Sequence, residues 1–174
     1  QTVTITATSV ADPTKAASAI VTVRPGVPTG TNLAAGKTAT QSSTFMPASL
    51  VVDGNTDGDF AHGSVNHTLA DSFAWWQVDL GASASISSIT IWNRTDCCAS
   101  RLADYWVFVS DTPFASSDTP AMLQSRTATW ASHQTSAPNP SIAIPVDVQG
   151  RYVRIQLNAK DYLHLAEVQV FGGQ

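Results

Sequence analysis

Apolar and polar residues alternate in short runs along most of this chain. Val3, Ile5 and Ala7 alternate with threonines, Asp12-Pro13 marks a turn, and Ala19, Val21 and Val23 alternate again. Beyond Asn32 the same two-residue period predicts strands over 38–41, 75–80, 85–93, 105–110, 127–130, 141–146, 152–157 and 165–171, with Gly, Pro, Asn and Asp between them. In the run 75–80, alternation places Trp76, Val78 and Leu80 on one face and Trp75, Gln77 and Asp79 on the other. No window carries a long apolar stripe of helical period. Many short strands without helices predict an all-β sandwich or barrel. The connections 42–74 and 94–104 are long for such a domain, and long loops usually carry function.

The first two strands make only a hairpin, which is marginal alone in water. The string VTITATSVADPTKAASAIVTV resembles the last two strands of a bacterial immunoglobulin-like repeat. The resemblance implies that residues 1–25 end a neighbouring β domain, that 26–31 is a linker, and that 32–174 is a second domain of a larger secreted protein. The other reading is an N-terminal extension packed on the main domain.

Composition narrows the function classes. Apolar residues make up 43% of the 174 positions, and with five tryptophans this excludes disorder. Charged residues are 13%, about half the usual share, which fits an extracellular type of surface. Nine basic against thirteen acidic side chains give −4, and a pI near 5.3 with three lysines argues against nucleic acid as a partner. No apolar run approaches the roughly 18 residues of a membrane span, so no membrane insertion is expected. No secretory signal is visible at Gln1, which reads as a mature or trimmed chain.

The loop Asn93-Arg94-Thr95-Asp96-Cys97-Cys98-Ala99-Ser100-Arg101-Leu102 holds two of the six arginines with an aspartate between them. Two fixed cations in one loop of a net-negative chain invite an oxygen-rich ligand, such as a carboxylate, phosphate or polyol. A surface ion-pair loop is the plainer reading. The adjacent cysteines are either two reduced thiols or a strained rigid ring, since neighbouring Cα atoms sit about 3.8 Å apart and disulfides prefer about 4.4–6.8 Å. A second oxygen-rich run, Asp53-Gly54-Asn55-Thr56-Asp57-Gly58-Asp59, lacks the spacing of an EF-hand and is either a turn cluster or a cation loop.

The strings AWWQVDLG (74–81), RYVRIQL (151–157) and EVQVFG (167–172), with Asn32-Leu33-Ala34, resemble the discoidin, or coagulation-factor C-terminal, superfamily. His67, then 26 residues, then Arg94-x-Asp96, four residues and Arg101 resemble the F-type lectin signature, and the cysteine pair inside it matches too. The resemblance implies a discoidin-like antiparallel β-sandwich of jelly-roll type and a non-catalytic module that recognises terminal α-L-fucose on oligosaccharides or glycoconjugates. It implies that His67, Arg94 and Arg101 hydrogen-bond the sugar, with His67 as a neutral or cationic donor. Asp96 would hold both arginines and the loop in register. Cys97 and Cys98 would form a vicinal disulfide under the sugar ring, and Phe60 would contact the fucose methyl group. A structural calcium ion would take the side chains of Asp53, Asn55, Ser64 and Glu167 and the carbonyls of Leu50 and Ala166. Thr95 stands where the family usually has Gly, which puts the loop shape in question. Val65 and Ala166 stand where some members carry an additional disulfide.

Two sequons, at Asn66 and Asn93, flank the proposed donors, and a glycan at either would obstruct the site. His62, His133 and His164 have no assigned chemistry. The competing class is a discoidin-like membrane or protein adhesion module with Phe45 and Met46 as apolar spikes. An enzyme built on a Cys97–His67 dyad would need a free thiol, and a glycosidase two facing carboxylates, for which this loop offers only Asp96 and Asp104.

Overall fold

The computed structural model describes residues 2–22 and 30–172. Thr2–Thr8 (β1) and Ala16–Thr22 (β2) pair antiparallel, with Ile5 opposite Ala19. Asp12 organises their turn by accepting from the amide and hydroxyl of Thr14. The expected linker lies mostly outside the described residues.

The remaining strands are Thr38–Gln41 (β3), Asp71–Ser72 (β4), Trp75–Asn93 (β5), Tyr105–Ser110 (β6), Thr129–Gln134 (β7), Ser141–Leu157 (β8), Lys160–Asp161 (β9) and Leu165–Gly172 (β10). Two pairs of predicted strands are single long strands, β5 and β8. Each bends midway: β5 loses register between Asp79 and Ala84, where Gly81 adopts a left-handed φ of 88°, and β8 turns at Asp147, φ 53°. The bends fold one antiparallel sheet into two layers. The first half of β5 pairs β3 and the second half of β8, which continues to β6 and β7. The second half of β5 pairs β10 and the first half of β8.

The alternation of side chains now has a cause. Trp76, Val78, Val153, Ile155, Val107 and Val109 of one layer meet Ile86, Ile89, Ile91, Ile144, Val168 and Val170 of the other in a single core cluster. Burial of this apolar area supplies most of the driving force for the fold. On the outer face, Phe108, Phe114 and Leu123 form a smaller cluster under the helix Pro120–Ser125 (α1). This helix departs from the helix-free expectation. Its cues are local: Thr119 caps it by accepting from Met122 N, and Pro120 opens it, but six residues are too few for a helical stripe. The strand expected at 127–130 begins at Thr129, because Ala128 is left-handed, φ 57°.

The long connection 42–74 is strapped to the sandwich. Asn66 donates from Nδ2 to Gln41 Oε1 and accepts from Leu165 N, while Thr68 Oγ1 accepts from Leu163 N. This puts His67 between the 45–46 turn and the 162–165 segment at one end of the molecule.

Candidate functional site

Strand β5 ends at Asn93 and delivers the loop 94–104 to that same end. Asn93 is buried and donates from Nδ2 to the carbonyls of Ala99 and Pro138, which fixes the loop from within. The Arg94 guanidinium donates from Nε and Nη2 to the two oxygens of Asp96, each at 2.8 Å. This bidentate pair holds the Asp96 carboxyl well below the usual carboxylate range. Asp96 Oδ1 also accepts from Phe60 N, which ties loop 94–104 to loop 53–64. The guanidinium carbon of Arg94 lies 4.4 Å from the Phe60 ring centroid, a cation–π contact, and Nη1 has no acceptor among the described residues.

His67 stands beside them. Its Nδ1 lies 2.6 Å from the Thr68 carbonyl, an obligate acceptor, so Nδ1 carries the proton. Burial and the charges of Arg94 and Arg101 lower its pKa, so at neutral pH the imidazole is uncharged and Nε2 is an open acceptor. This corrects the expectation of a donor. Rings surround it: Phe45 at 5.4 Å, Phe60 at 5.8 Å, Tyr162 at 5.3 Å and His164 at 5.5 Å between centroids. His164 is buried, and burial pushes its pKa down to about 3, so it adds no charge.

Arg101 lies in the last turn of a 3₁₀ helix, Ala99–Leu102, whose N-cap is the left-handed Cys98. Asp96 does not hold it, contrary to expectation. Arg101 lies over the Tyr162 ring at 4.7 Å and 3.6 Å from Asp161, too long for a hydrogen bond, so its donors are unspent. Tyr162 and Asp161 escaped the sequence reading because β9 pairing with β4, not any local spacing, brings them here. Cys97 and Cys98 form a vicinal disulfide with Cα atoms 3.8 Å apart, and no described cysteine is free. That removes a Cys–His dyad. Asp104 is tied to His133 and Asn158, so it faces no catalytic partner.

The departure at Thr95 is accommodated by Gly58. Thr95 has no left-handed φ and donates its N–H to the Gly58 carbonyl at 2.9 Å. A Cβ on Gly58 would lie 2.7 Å from both Asn93 O and Thr95 Cγ2. Thr95 therefore fills the space that a bare glycine leaves across the gap.

A family model described as a NedA-like, galactose-binding domain matches residues 50–155. A fucolectin of Anguilla anguilla is 34% identical over 146 residues, covering 80% of this chain and 89% of the relative. A solved fucose binding module of Streptococcus pneumoniae, SpX-3, superposes with TM-score 0.72 at 32% identity, covering 83% of this chain and 99% of the module. The lectin domain of Lectinolysin, solved with Lewis B antigen, gives TM-score 0.70 at 35% identity over 83% and 98%.

The chain belongs to the fucolectin family. It is thus a member of a non-catalytic, carbohydrate-binding lectin family with the discoidin-like sandwich. In this fucolectin domain neither sequon can carry a glycan. Asn66 and Asn93 are buried, and both side-chain amides are engaged in the fold.

The residues expected to hold calcium lie on the segment 50–64 and on β10. Glu167 is fully buried; the backbone amides of Asp53 and Gly54 lie beside its carboxylate, but neither makes a hydrogen bond of good geometry. Burial, with the Asp53 charge beside it, pushes its pKa up to about 8. Glu167 with both oxygens free, beside Asp53 whose Oδ1 accepts from Asn55 N and whose Oδ2 is free, fits a hard cation. Asn55 Oδ1 and Ser64 Oγ are partly used inside the loop, the first accepting from Asp57 N and the second donating to the Asp57 carbonyl. Leu50 sits in the 3₁₀ turn Ala48–Val52 and Ala166 at the bulge between Leu165 and Glu167, two elements packed on each other. Among the described residues no three His, Cys, Asp or Glu side chains converge, so carbonyls and amides must complete any shell.

Proposed function

We propose that this domain binds terminal α-L-fucose on glycans and is braced by a structural calcium ion. The observation that carries the sugar reading is the division of hydrogen-bonding capacity: two arginines with unspent donors stand around one neutral imidazole with an open acceptor. A pyranose offers hydroxyls that both donate and accept, and C–H patches between them. Arg94 and Arg101 donate to sugar oxygens, and His67 Nε2 accepts from a hydroxyl. Phe45 and Phe60, stacked at 6.4 Å, form an apolar wall for the methyl group, and the Cys97–Cys98 ring supports the sugar's edge. The groups are held before the ligand arrives, which lowers the entropy cost of binding. About eleven heavy atoms at roughly 0.5 kcal/mol each give about −5.5 kcal/mol, on the order of 0.1 mM. Longer fucosylated glycans and neighbouring modules would raise this by avidity.

Asp53 and Glu167, with Asn55, Ser64 and the carbonyls of Leu50 and Ala166, would hold the calcium, which would neutralise the buried charge and fix loop 42–74. An extracellular location is supported by the disulfide and by the fucolectin relatives. The immunoglobulin-like reading of residues 1–25 rests on the sequence resemblance, and the β1–β2 pairing fits it and an N-terminal extension equally. The adhesion alternative rests on Phe45 alone, which is exposed although it stacks on Phe60 and meets His67 edge-on, because Met46 is half-buried in a bridge to His67.

Calorimetric titration with methyl α-L-fucoside in calcium buffer tests this. Affinity is expected to stay constant from about pH 8 to the ordinary histidine value of 6.5 and to fall at lower pH. The sign follows from His67: protonation removes the acceptor and adds a third cation between two arginines. No binding at neutral pH would overturn the fucose reading, and an affinity that rises on acidification would overturn the role of His67. Gly58→Ala tests the loop contact. Its Cβ must displace the 57–60 segment from Asn93 and Thr95, so Phe60 moves off Arg94. A loss of fucoside affinity of about 10-fold is expected, with Tm shifted by only a few degrees.

A further inference from the structure

The opposite end of the sandwich carries a pocket of about 340 Å³. It opens between the layers, where β6 ends, β7 begins and β8 bends. From Tyr105, next to the first site, to Ser110, next to the pocket, β6 runs about 17 Å. The floor is apolar, made by Val109, Val148 and the half-buried indole of Trp130. The rim is polar, and the side chains of Asp111 and Gln149 there are exposed and make no hydrogen bond among the described residues.

The walls are braced. Arg126 donates from Nε to Thr129 Oγ1 and from Nη2 and Nη1 to the carbonyls of Thr112 and Pro113, which locks the 111–113 turn to the start of β7. Ala128 lines the pocket and Asp147 adjoins it, and both hold left-handed φ angles of 57° and 53°. Among the described residues only Phe73 and Cys98 share this conformation without being glycine, and Cys98 belongs to the first site. Backbone strain of this kind persists where the surroundings fix a particular shape.

We propose that this pocket is a second saccharide site, which takes a neutral hexopyranoside with its C–H face on Trp130 and its hydroxyls on Asp111 and Gln149. The chemistry is that of a concave apolar surface with a few convergent polar groups. An indole presents a flat face to sugar C–H bonds, a carboxylate accepts from two hydroxyls, and an amide both donates and accepts. Asp111 makes an anionic sugar the wrong ligand. Two sites at opposite ends would let one domain bridge two glycan chains.

The test is two-dimensional NMR of the full chain with methyl β-D-galactoside, methyl β-D-glucoside and methyl α-D-mannoside in turn, up to about 100 mM. The first site is saturated with methyl α-L-fucoside in one series and removed by Arg94→Ala in another. At least one hexoside is expected to shift the Trp130 indole N–H and the Gln149 side-chain amide, saturably and equally in both series. Asp111→Ala and Gln149→Ala, both at exposed positions, should each weaken this response at least 10-fold while leaving the spectrum of residues 58–67 unchanged. No shift with any of the three sugars, or a shift that survives both substitutions, overturns the site. Because the Arg94→Ala series lacks the first site, failure of the fucose reading leaves this result intact.

Discussion

Arg94→Ala should abolish measurable binding of methyl α-L-fucoside. Three consequences follow from one side chain. Arg94 is 9% exposed and supplies the open Nη1 donor, and a charge-assisted hydrogen bond to a ligand is worth about 1.5–3 kcal/mol. Asp96 loses its bidentate partner, so an uncompensated carboxylate replaces a cation at the sugar's edge. Phe60 loses the charge over its ring, and the tie that Asp96 makes to Phe60 N loosens. Starting near 0.1 mM, a loss of two such contacts moves the constant by at least about 100-fold, beyond calorimetric reach. Arg94→Lys separates charge from geometry. Lysine keeps the cation but cannot pair in the two-pronged way or stack flat on Phe60, so a loss of about 10-fold or more is expected. Wild-type affinity in the lysine variant would show that charge alone suffices. Retained binding in the alanine variant would remove Arg94 from the site. Stability changes little by comparison, about 1–2 kcal/mol, because the pair is only partly buried.

The part of this site that was legible in the sequence is the part encoded by local spacing. Arg94, Asp96, the cysteine pair and Arg101 lie within eight residues, and the fold keeps them together because Asn93 pins the loop start and a 3₁₀ turn follows Cys98. What spacing could not show is which acid serves which base. Asp96 is spent twice on Arg94, which leaves Arg101 to Tyr162 and Asp161, sixty residues further on. Likewise the role of His67 depends on the Thr68 carbonyl, a backbone contact that no side-chain pattern encodes. The strands follow the same rule. Alternation located the strands of β5 and β8, and the core face of the first half of β5, but divided each strand in two, because a bend that carries a strand from one layer to the next interrupts the period as a turn would. The helix α1 was missed for lack of length, although its Thr-Pro cap was written in the chain.

Chelation should cost this domain stability, and the cost should grow with pH. Glu167 is fully buried, and burial with the Asp53 charge outweighs the nearby amides of Gly54 and Asp53 and pushes its pKa from 4.5 to about 8. It is an acid whose folded value lies above its unfolded one. Between about pH 4.5 and 8 the metal-free native state therefore keeps a proton that the unfolded state has released. Its stability falls across that window by about 1.4 kcal/mol per unit, with the full loss reached near pH 8. Calcium reverses this, since it binds both carboxylates ionised and competes with the proton. At a hundredfold excess over its dissociation constant it would add about 2.7 kcal/mol, roughly 8 °C in Tm for a domain of this size. EGTA should thus lower Tm markedly near pH 8 and only slightly near pH 6, where Glu167 can protonate instead. Glu167→Gln should abolish the calcium response and raise the metal-free Tm at the higher pH, because the amide keeps the shape without the charge. If EGTA leaves the wild-type Tm unchanged near pH 8, the Asp53–Glu167 pair is not a cation site, and Glu167 is held as a neutral acid by the fold itself. The fucose site shares loop 53–64 with this pair through Phe60, so an EGTA effect on stability should bring a parallel loss of fucoside affinity at the same pH.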